Sequence, residues 1–414
     1  MSAKPIRLTF EGAHGAELAA RLDLPTGAVE AYALFAHCFT CSKDVAAARK
    51  IAEALTRRGI AVLRFDFTGL GGSGGDFGST NFTSNLEDLR RAADYMREKL
   101  DAPKLLIGHS LGGAAMLAVA PDIPEAKAVA TIGAPAEADH VTHNFGAKLD
   151  EIENDGEAKV SLAGRDFCIQ KQFIDDLRSH DVEMRVSHLK KALLVLHAPL
   201  DDVVGIENAT KIFVAAKHPK SFVSLDTADH LLSNQQDAAY AADVIAAWAG
   251  RYIELKDAAA DAGEEGVVEV RETGLGKFQA MVQAGPHRLL ADEPVSVGGF
   301  ASGPSPYEFL SAALGACTSM TLRMYADRKN LPLDRVSVEI SHAKVHAQDC
   351  SDCAEDLQDR DGKIDRFERR IAFEGDLDAD TRKRLLEIAD KCPVHRTLEA
   401  GAAVVTKEAG TAGN

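Results

Sequence analysis

A strand, a turn too tight for side chains and a helix meet at one serine. Ser110 stands in Gly108-His109-Ser110-Leu111-Gly112, between the apolar run Lys104-Leu105-Leu106-Ile107 and the small-residue stretch Gly113-Ala114-Ala115-Met116. A strand reverses into a helix this sharply only where bulky Cβ atoms are missing on both sides of the bend, so the glycines predict a nucleophile elbow. The hydroxyl is then held on a strained turn, and the amide of Leu111 points at a developing oxyanion. Strand, elbow and helix together point to an α/β sheet with serine hydrolase chemistry at its edge.

Further apolar strands continue the pattern. Ala33-Leu34-Phe35-Ala36 reads as a buried strand and leads into His37-Cys38-Phe39-Thr40, where the amide of Phe39 is the expected second oxyanion donor. Ile60-Ala61-Val62-Leu63-Arg64-Phe65 runs into Asp66-Phe67-Thr68-Gly69-Leu70-Gly71-Gly72-Ser73. That turn lacks the Lys-Ser/Thr ending of a phosphate loop. Ala192-Leu193-Leu194-Val195-Leu196-His197 ends near Asp201 and Asp202, and Ser221-Phe222-Val223-Ser224-Leu225 leads to Ala228-Asp229-His230. Nucleophile, acid and histidine therefore follow in the order Ser, Asp, His, each just past a strand end, and such ends converge on one edge of a parallel sheet. His230 would take the Ser110 proton while an Asp orients the imidazole. His37, His109 and His197 are expected to anchor loops, Asp66 to fix its own loop, and Asp229 to be solvated.

On these segments, residues 1 to about 255 resemble an α/β-hydrolase of the small esterase or lipase type, which implies a small acyl ester as substrate. The resemblance favours Asp201 over Asp202, since the family acid falls four residues after the position of His197. One departure is Cys38, where the family usually has Gly; its Cβ restricts the loop. Residues 134–191 interrupt the strand–helix rhythm and are read as a short lid. Phe145, Phe167, Ile169 and Phe173 either line an acyl pocket there or pack the lid itself.

A chain of 414 residues exceeds what one core normally serves, so two domains are expected. The formal net charge of −16 opposes nucleic acid or an anionic membrane as partner. No run of about eighteen apolar residues predicts a membrane span, and Met1 to Arg7 lacks the apolar core of a signal peptide. Seven cysteines fit a reducing cytoplasm where thiols serve chemistry. No cofactor is implied. The polar, alanine-rich stretch 256–266 reads as a linker, which sets domains of 1–255 and 267–414.

In the second domain, alternating residues from 267 to 283 predict strands, and Pro306 opens a helix reaching Asn330. Leu310, Leu314, Cys317, Thr321 and Met324 recur at spacings of four and three, which predicts a shared apolar face. Strands at Val336–Ile340 and Arg370–Phe373 and a helix from Asp380 to Lys391 follow. Cys392 then sits at or beside the N-cap of a turn opened by Pro393, where a helix N-terminus favours a thiolate. Ser305-Pro306-Tyr307-Glu308-Phe309-Leu310, Ala316-Cys317-Thr318 and Cys392-Pro393-Val394-His395-Arg396 resemble the OsmC/Ohr family of thiol peroxidases over residues 285–400. The resemblance implies an α+β domain and an interlocked homodimer. Cys317 would be the peroxidatic thiolate, Cys392 its resolving partner, an organic hydroperoxide the oxidant and a dithiol the reductant. The activating Arg of the family maps best to Arg288, with Arg323 and Arg396 as substitutes. Its Glu, which follows the Pro, is here Tyr307, with Glu308 one residue and about 100° further round the helix.

Two other groupings carry chemistry. His342, His346, Cys350 and Cys353 offer donors for zinc or a redox disulfide, though no metal is assigned. Cys38 and Cys41 form a CxxC beside the expected oxyanion loop. Three functions follow: an esterase fused to a hydroperoxide reductase, an esterase whose second domain is a silent dimerisation and substrate-gathering module, or a damaged hydrolase acting as a binding domain.

Overall fold

The computed structural model describes residues 5–25, 29–38, 42–146, 148–162, 165–253, 264–349 and 362–408. They form two compact units, Met1–Gly303 and Pro304–Asn414. The first begins with an antiparallel pair, β1 (Ile6–Glu11) and β2 (Glu17–Asp23). β3 (Ala31–Ala36), α1 (Ala46–Thr56), β4 (Ile60–Phe65), α2 (Phe82–Lys99), β5 (Leu105–His109), α3 (Leu111–Val119) and β6 (Ala128–Ile132) follow. After an insert come β9 (Ala192–His197), α7 (Ile206–Ala215), β10 (Lys220–Ser224) and α8 (Gln235–Ala249).

The eight strands form one sheet in the order β1-β2-β4-β3-β5-β6-β9-β10, parallel from β4 onward. A parallel sheet covered by helices on both faces needs strands that are apolar throughout. β3 shows this: Tyr32, Leu34 and Ala36 enter one core, while Ala31, Ala33 and Phe35 enter the other. The expected α/β class and parallel sheet are observed. α2 starts at a reciprocal cap in which Asn81 and Ser84 satisfy each other's amides, an arrangement that contributes about 1 kcal/mol.

The insert expected at 134–191 holds α4 (Lys148–Asp155), β7 (Glu157–Leu162), β8 (Arg165–Gln170), α5 (Lys171–Ser179) and α6 (Val182–Ser187). The β7–β8 hairpin is absent from the helix-like reading of this segment. Its alternating residues Ala158 and Val160 point inward with Ile169. Phe145, Ile169 and Phe173 are buried in the main core, and Phe167 packs on Phe77 at 4.9 Å. Of the two roles open to these four residues, the packing role is the one observed.

A three-stranded antiparallel sheet, β11 (Val268–Glu272), β12 (Ala280–Ala284) and β13 (His287–Ala291), belongs to the first unit, with Leu275 and Phe300 packed against its core. The division at Gly303 therefore differs from the expected start of a second domain at 267; residues 256–263 of the expected linker lie outside the described residues. Three short strands that fully bury one side chain among them, Leu290, are too small to stand alone, and they join the first unit.

The second unit comprises α9 (Pro306–Lys329), β14 (Arg335–His346), β15 (Lys363–Glu374), α10 (Ala379–Ala389) and α11 (Pro393–Ala400). β14 and β15 pair antiparallel over twelve residues, Arg335 opposite Glu374 and His346 opposite Lys363. The buried stripe of α9 is Leu314, Thr318, Leu322 and Ala326, not the expected row ending at Met324, which is 73% exposed. Only one side of α9 meets β14 and α10, and an i, i+4 row is what faces them. Among the described residues no helix is long and apolar enough to cross a membrane.

Candidate active site

β5 ends and α3 begins at Ser110, whose backbone lies at φ 55°, ψ −129°. A non-glycine residue there costs about 1–3 kcal/mol and persists only where its surroundings enforce it. They do: the Ser110 amide donates to the Ile132 carbonyl at 2.8 Å, and the Gly113 amide to the Ser110 carbonyl at 2.8 Å. A Cβ on Gly108 would lie 2.3 Å from the Gly112 carbonyl oxygen, and one on Gly112 would lie 2.3 Å from that of His37. Both glycines are therefore steric requirements of the elbow.

Ser110, His230 and Asp201 are brought together from three loops. His230 Nε2 is 2.9 Å from Ser110 Oγ, and His230 Nδ1 is 2.8 Å from Asp201 Oδ2. Asp201 Oδ1 accepts the amides of Val203 and Val204 at 3.0 and 2.9 Å. Burial pushes the Asp201 carboxyl up, but the His230 ring and the two amides outweigh it and leave it below the usual carboxylate range. Asp202 is exposed and takes no part. With Nδ1–H donating to the carboxylate, Nε2 is free to accept the serine proton.

Two buried histidines brace this arrangement, as loop anchors do. His109 Nε2 donates to the His230 carbonyl at 2.7 Å, and His197 Nε2 to the Val204 carbonyl at 2.7 Å. Burial, and then the nearby His230, bring His109 down to about 4, so it stays neutral.

On the oxyanion side, Leu111 opens α3, where an amide has no partner inside its own helix. Phe39 and Cys41 lie outside the described residues. Cys38 is buried and disulfide-bonded. The chain just beyond is pinned by Asp66, which accepts the Lys43 amide at 2.6 Å, the Lys43 ammonium at 2.5 Å and the Gly72 amide at 2.8 Å. Arg64, 2% exposed, bonds Asp23 at 2.7 Å, Asp44 at 3.1 Å and the Lys43 carbonyl. Its signal was in plain view, a lone cation inside an apolar strand. Asp229 does more than face solvent, accepting the Ser233 amide at 2.7 Å.

In the second unit the thiols of Cys317 and Cys392 are free and within hydrogen-bonding reach of each other. Cys317 is partly exposed and Cys392 fully buried. Burial raises Cys317, with the Val394 amide opposing and the Cys392 sulfur adding to the rise. Burial also raises Cys392, but the His395 amide, the Cys317 thiol, the Thr318 hydroxyl and the Val394 amide together bring it below the ordinary thiol value.

Glu308, Arg288 and Arg323, three of the activating groups expected around this pair, bond to neighbours within their own units. Glu308 closes a capping box with Ser305, its carboxylate accepting the Ser305 amide at 2.7 Å, and nine residues of helix separate it from Cys317, about 13 Å of rise. Arg288 Nε donates to Gln283 at 2.8 Å, and Arg323 donates to the carbonyls of Leu333 and Asp334. His342 stacks on Tyr307 at 4.1 Å and holds Asp365 at 2.8 Å, while His346 is exposed. Cys350 and Cys353 lie outside the described residues.

Comparison with known proteins agrees with both units. A family described as "Serine aminopeptidase, S33" matches residues 32–152, and one described as "OsmC-like protein" matches residues 299–407. The crystallised esterase domain of a Rhodothermus marinus protein is 55% identical, covering 60% of this chain and 99% of that one, with a TM-score of 0.51. Est1E from Butyrivibrio proteoclasticus, 23% identical with a TM-score of 0.52 over 58% of this chain and 96% of that one, shares the fold. Human palmitoyl-protein thioesterase ABHD10, mitochondrial, is 30% identical over 162 residues, 37% of this chain and 51% of that one. The chain spans about half the length of that relative. An elbow serine on a parallel sheet, an esterase domain matched almost end to end and an OsmC-like segment after it place this chain in the α/β-hydrolase family, as a fusion with an OsmC-like domain.

Proposed function

We propose that the first unit is a serine carboxylesterase acting through Ser110, His230 and Asp201 on a small, uncharged acyl ester. The hydrogen-bonded chain from Ser110 Oγ through His230 to Asp201 carries this reading. His230 Nε2 takes the serine proton as Oγ attacks the ester carbonyl, and the Leu111 and Phe39 amides receive the oxyanion. The imidazolium returns the proton to the leaving alcohol, and water then releases the acyl group by the same steps. Asp201 stays ionised throughout, keeping Nδ1 protonated and offsetting the imidazolium charge.

A crevice lined by Cys38, Phe67, Leu70, Phe77 and Leu111 leaves only about 10 Å³ open. That favours short acyl groups over the palmitoyl chains named for the human relative. The test is labelling by a fluorophosphonate together with hydrolysis of p-nitrophenyl esters of increasing chain length. Ser110→Ala should lose both signals, and rates should fall from acetyl to palmitoyl. Labelling that persists in the variant would refute Ser110 as nucleophile.

For the second unit we propose reduction of organic hydroperoxides by the Cys317–Cys392 pair, supported by the mutual reach of the two thiols. The partly exposed Cys317 meets the peroxide, becomes a sulfenic acid and releases the alcohol. Cys392 then displaces water to form the disulfide, which a dithiol reduces. A homodimer fits this unit: neither β14 nor β15 buries one side chain, and Met320 and Met324 of α9 stand 66% and 73% exposed. Hydroperoxide consumption with a dithiol should vanish in Cys317→Ser. No consumption by the wild type, with ester hydrolysis intact, would favour a silent dimerisation module instead.

A further inference from the structure

Three arginines stand in one cross-strand row of the first unit. Arg7 on β1 lies directly opposite Arg21 on β2, and Arg21 lies directly opposite Arg64 on β4. Like charges placed opposite one another destabilise a sheet, so each of them needs a counter-charge. Arg64 has Asp23 at 2.7 Å and Asp44 at 3.1 Å, and Arg21 reaches the same Asp44 at 3.7 Å. Lys43 is held by Asp66 at 2.5 Å. Four cations therefore share three carboxylates. Of the four, the exposed Arg7 has a side chain with no ion pair or hydrogen bond among the described residues. An open cavity of about 420 Å³ lies at this row. Arg7, Arg21 and Lys43 line it together with Thr9 and Ala19, and among the described residues no carboxylate does.

We propose that this cavity binds a small molecule through an oxyanion group, phosphate or carboxylate, bridged by Arg7 and Arg21. Side chains directly opposite on adjacent strands leave the backbone about 5 Å apart. Two guanidinium groups starting that close converge on one oxyanion, and each offers it a fork of N–H donors. The bound charge supplies the partner that Arg7 lacks and screens Arg7 from Arg21. An ammonium has three donors, and Lys43 uses one on Asp66, so the others serve the ligand. Thr9 and Ala19, the next pair along the two strands, are small and leave room beside the arginines. The volume lies in the range of small-ligand sites, about 300–1,000 Å³, and the net charge of −16 opposes a polyanionic macromolecule. β4 and β3 separate β2 from β5, which puts the site about 14 Å across the sheet from the strand that leads to Ser110. It is therefore a second site, and the inference does not depend on the esterase reading.

Calorimetric titration of the full chain with pyrophosphate, and separately with succinate, tests the assignment. Saturable binding at one site per chain is expected for at least one of them, and the tighter of the two tells phosphate from carboxylate. Arg7→Gln and Arg21→Gln should each weaken that binding about tenfold, because each removes charge-assisted hydrogen bonds. Urea unfolding followed by Trp248 fluorescence separates lost binding from lost fold. Without ligand, Arg7→Gln should match or exceed the wild-type midpoint, since a repelling neighbour is gone. With ligand, the wild-type midpoint should rise, and the rise should shrink in both variants. No saturable binding of either anion, or equal affinity in wild type and both variants, overturns the proposal.

Discussion

His109 sets how the first unit tolerates acid. It is 1% exposed, donates through Nε2 to the His230 carbonyl, and its Nδ1 has no hydrogen-bond partner among the described residues. A charged imidazole there would lose its hydration and face His230, which is why the group titrates at about 4 instead of 6.5. An unfolded chain takes up this proton as the pH falls through 6.5, whereas the folded chain refuses it until about 4. The stability from a neutral His109 is therefore complete above pH 6.5 and is lost as the pH falls toward 4. At 1.36 kcal/mol per pH unit, the interval is worth about 3 kcal/mol. His109→Gln keeps an amide donor for the His230 carbonyl but does not titrate. Urea unfolding followed by the fluorescence of Trp248, the only tryptophan and a residue of α8, reports on this unit. Between pH 7 and pH 4, wild type should lose about 3 kcal/mol more than the variant, since other titrations cancel in the difference. Equal losses would refute the assignment of the buried neutral state.

Asp201→Asn should reduce ester turnover about 10⁴-fold by reversing the His230 tautomer, while Asp202→Asn, at an exposed position, should leave kcat within about twofold; steady-state hydrolysis separates them. Gly112→Ala places a methyl group 2.3 Å from the His37 carbonyl oxygen, so a drop in kcat is expected even in a soluble, folded fraction, and wild-type kcat would contradict the close approach. Arg64→Met leaves Asp23 without its guanidinium. Breaking a buried pair from one side costs about 3 kcal/mol, readable as a lower urea midpoint of Trp248 fluorescence.

Much of the hydrolase site was legible because its parts are local. The Gly108-to-Gly112 elbow needs no distant residue to be recognised, and strand ends at His197 and Leu225 place an acid and a histidine on the sheet edge. The choice of Asp201 over Asp202 came from a family spacing; in the structure Asp201 bonds His230 and Asp202 is exposed. The β7–β8 hairpin was missed because Glu157, Lys159, Arg165 and Asp166 mask a two-residue alternation carried by only a few apolar side chains. The same happened on α9, where several rows of apolar residues satisfy a helical period and only contact with β14 and α10 selects one.

Sequence by itself determined the elements and chemistry that depend on neighbours in the chain: the elbow, the apolar parallel strands, the order of serine, acid and histidine, and the two cysteines of the second unit. Tertiary structure alone decided which groups meet across the chain. It joined the three strands at 268–291 to the first unit, spent Glu308 on a helix cap and put Arg369 behind Thr318 fifty-one residues away. The physical reason is the range of the forces involved. Periodicity and backbone sterics act over a few residues and are written along the sequence, whereas burial and hydrogen bonding at a sulfur depend on what folding brings within about 4 Å.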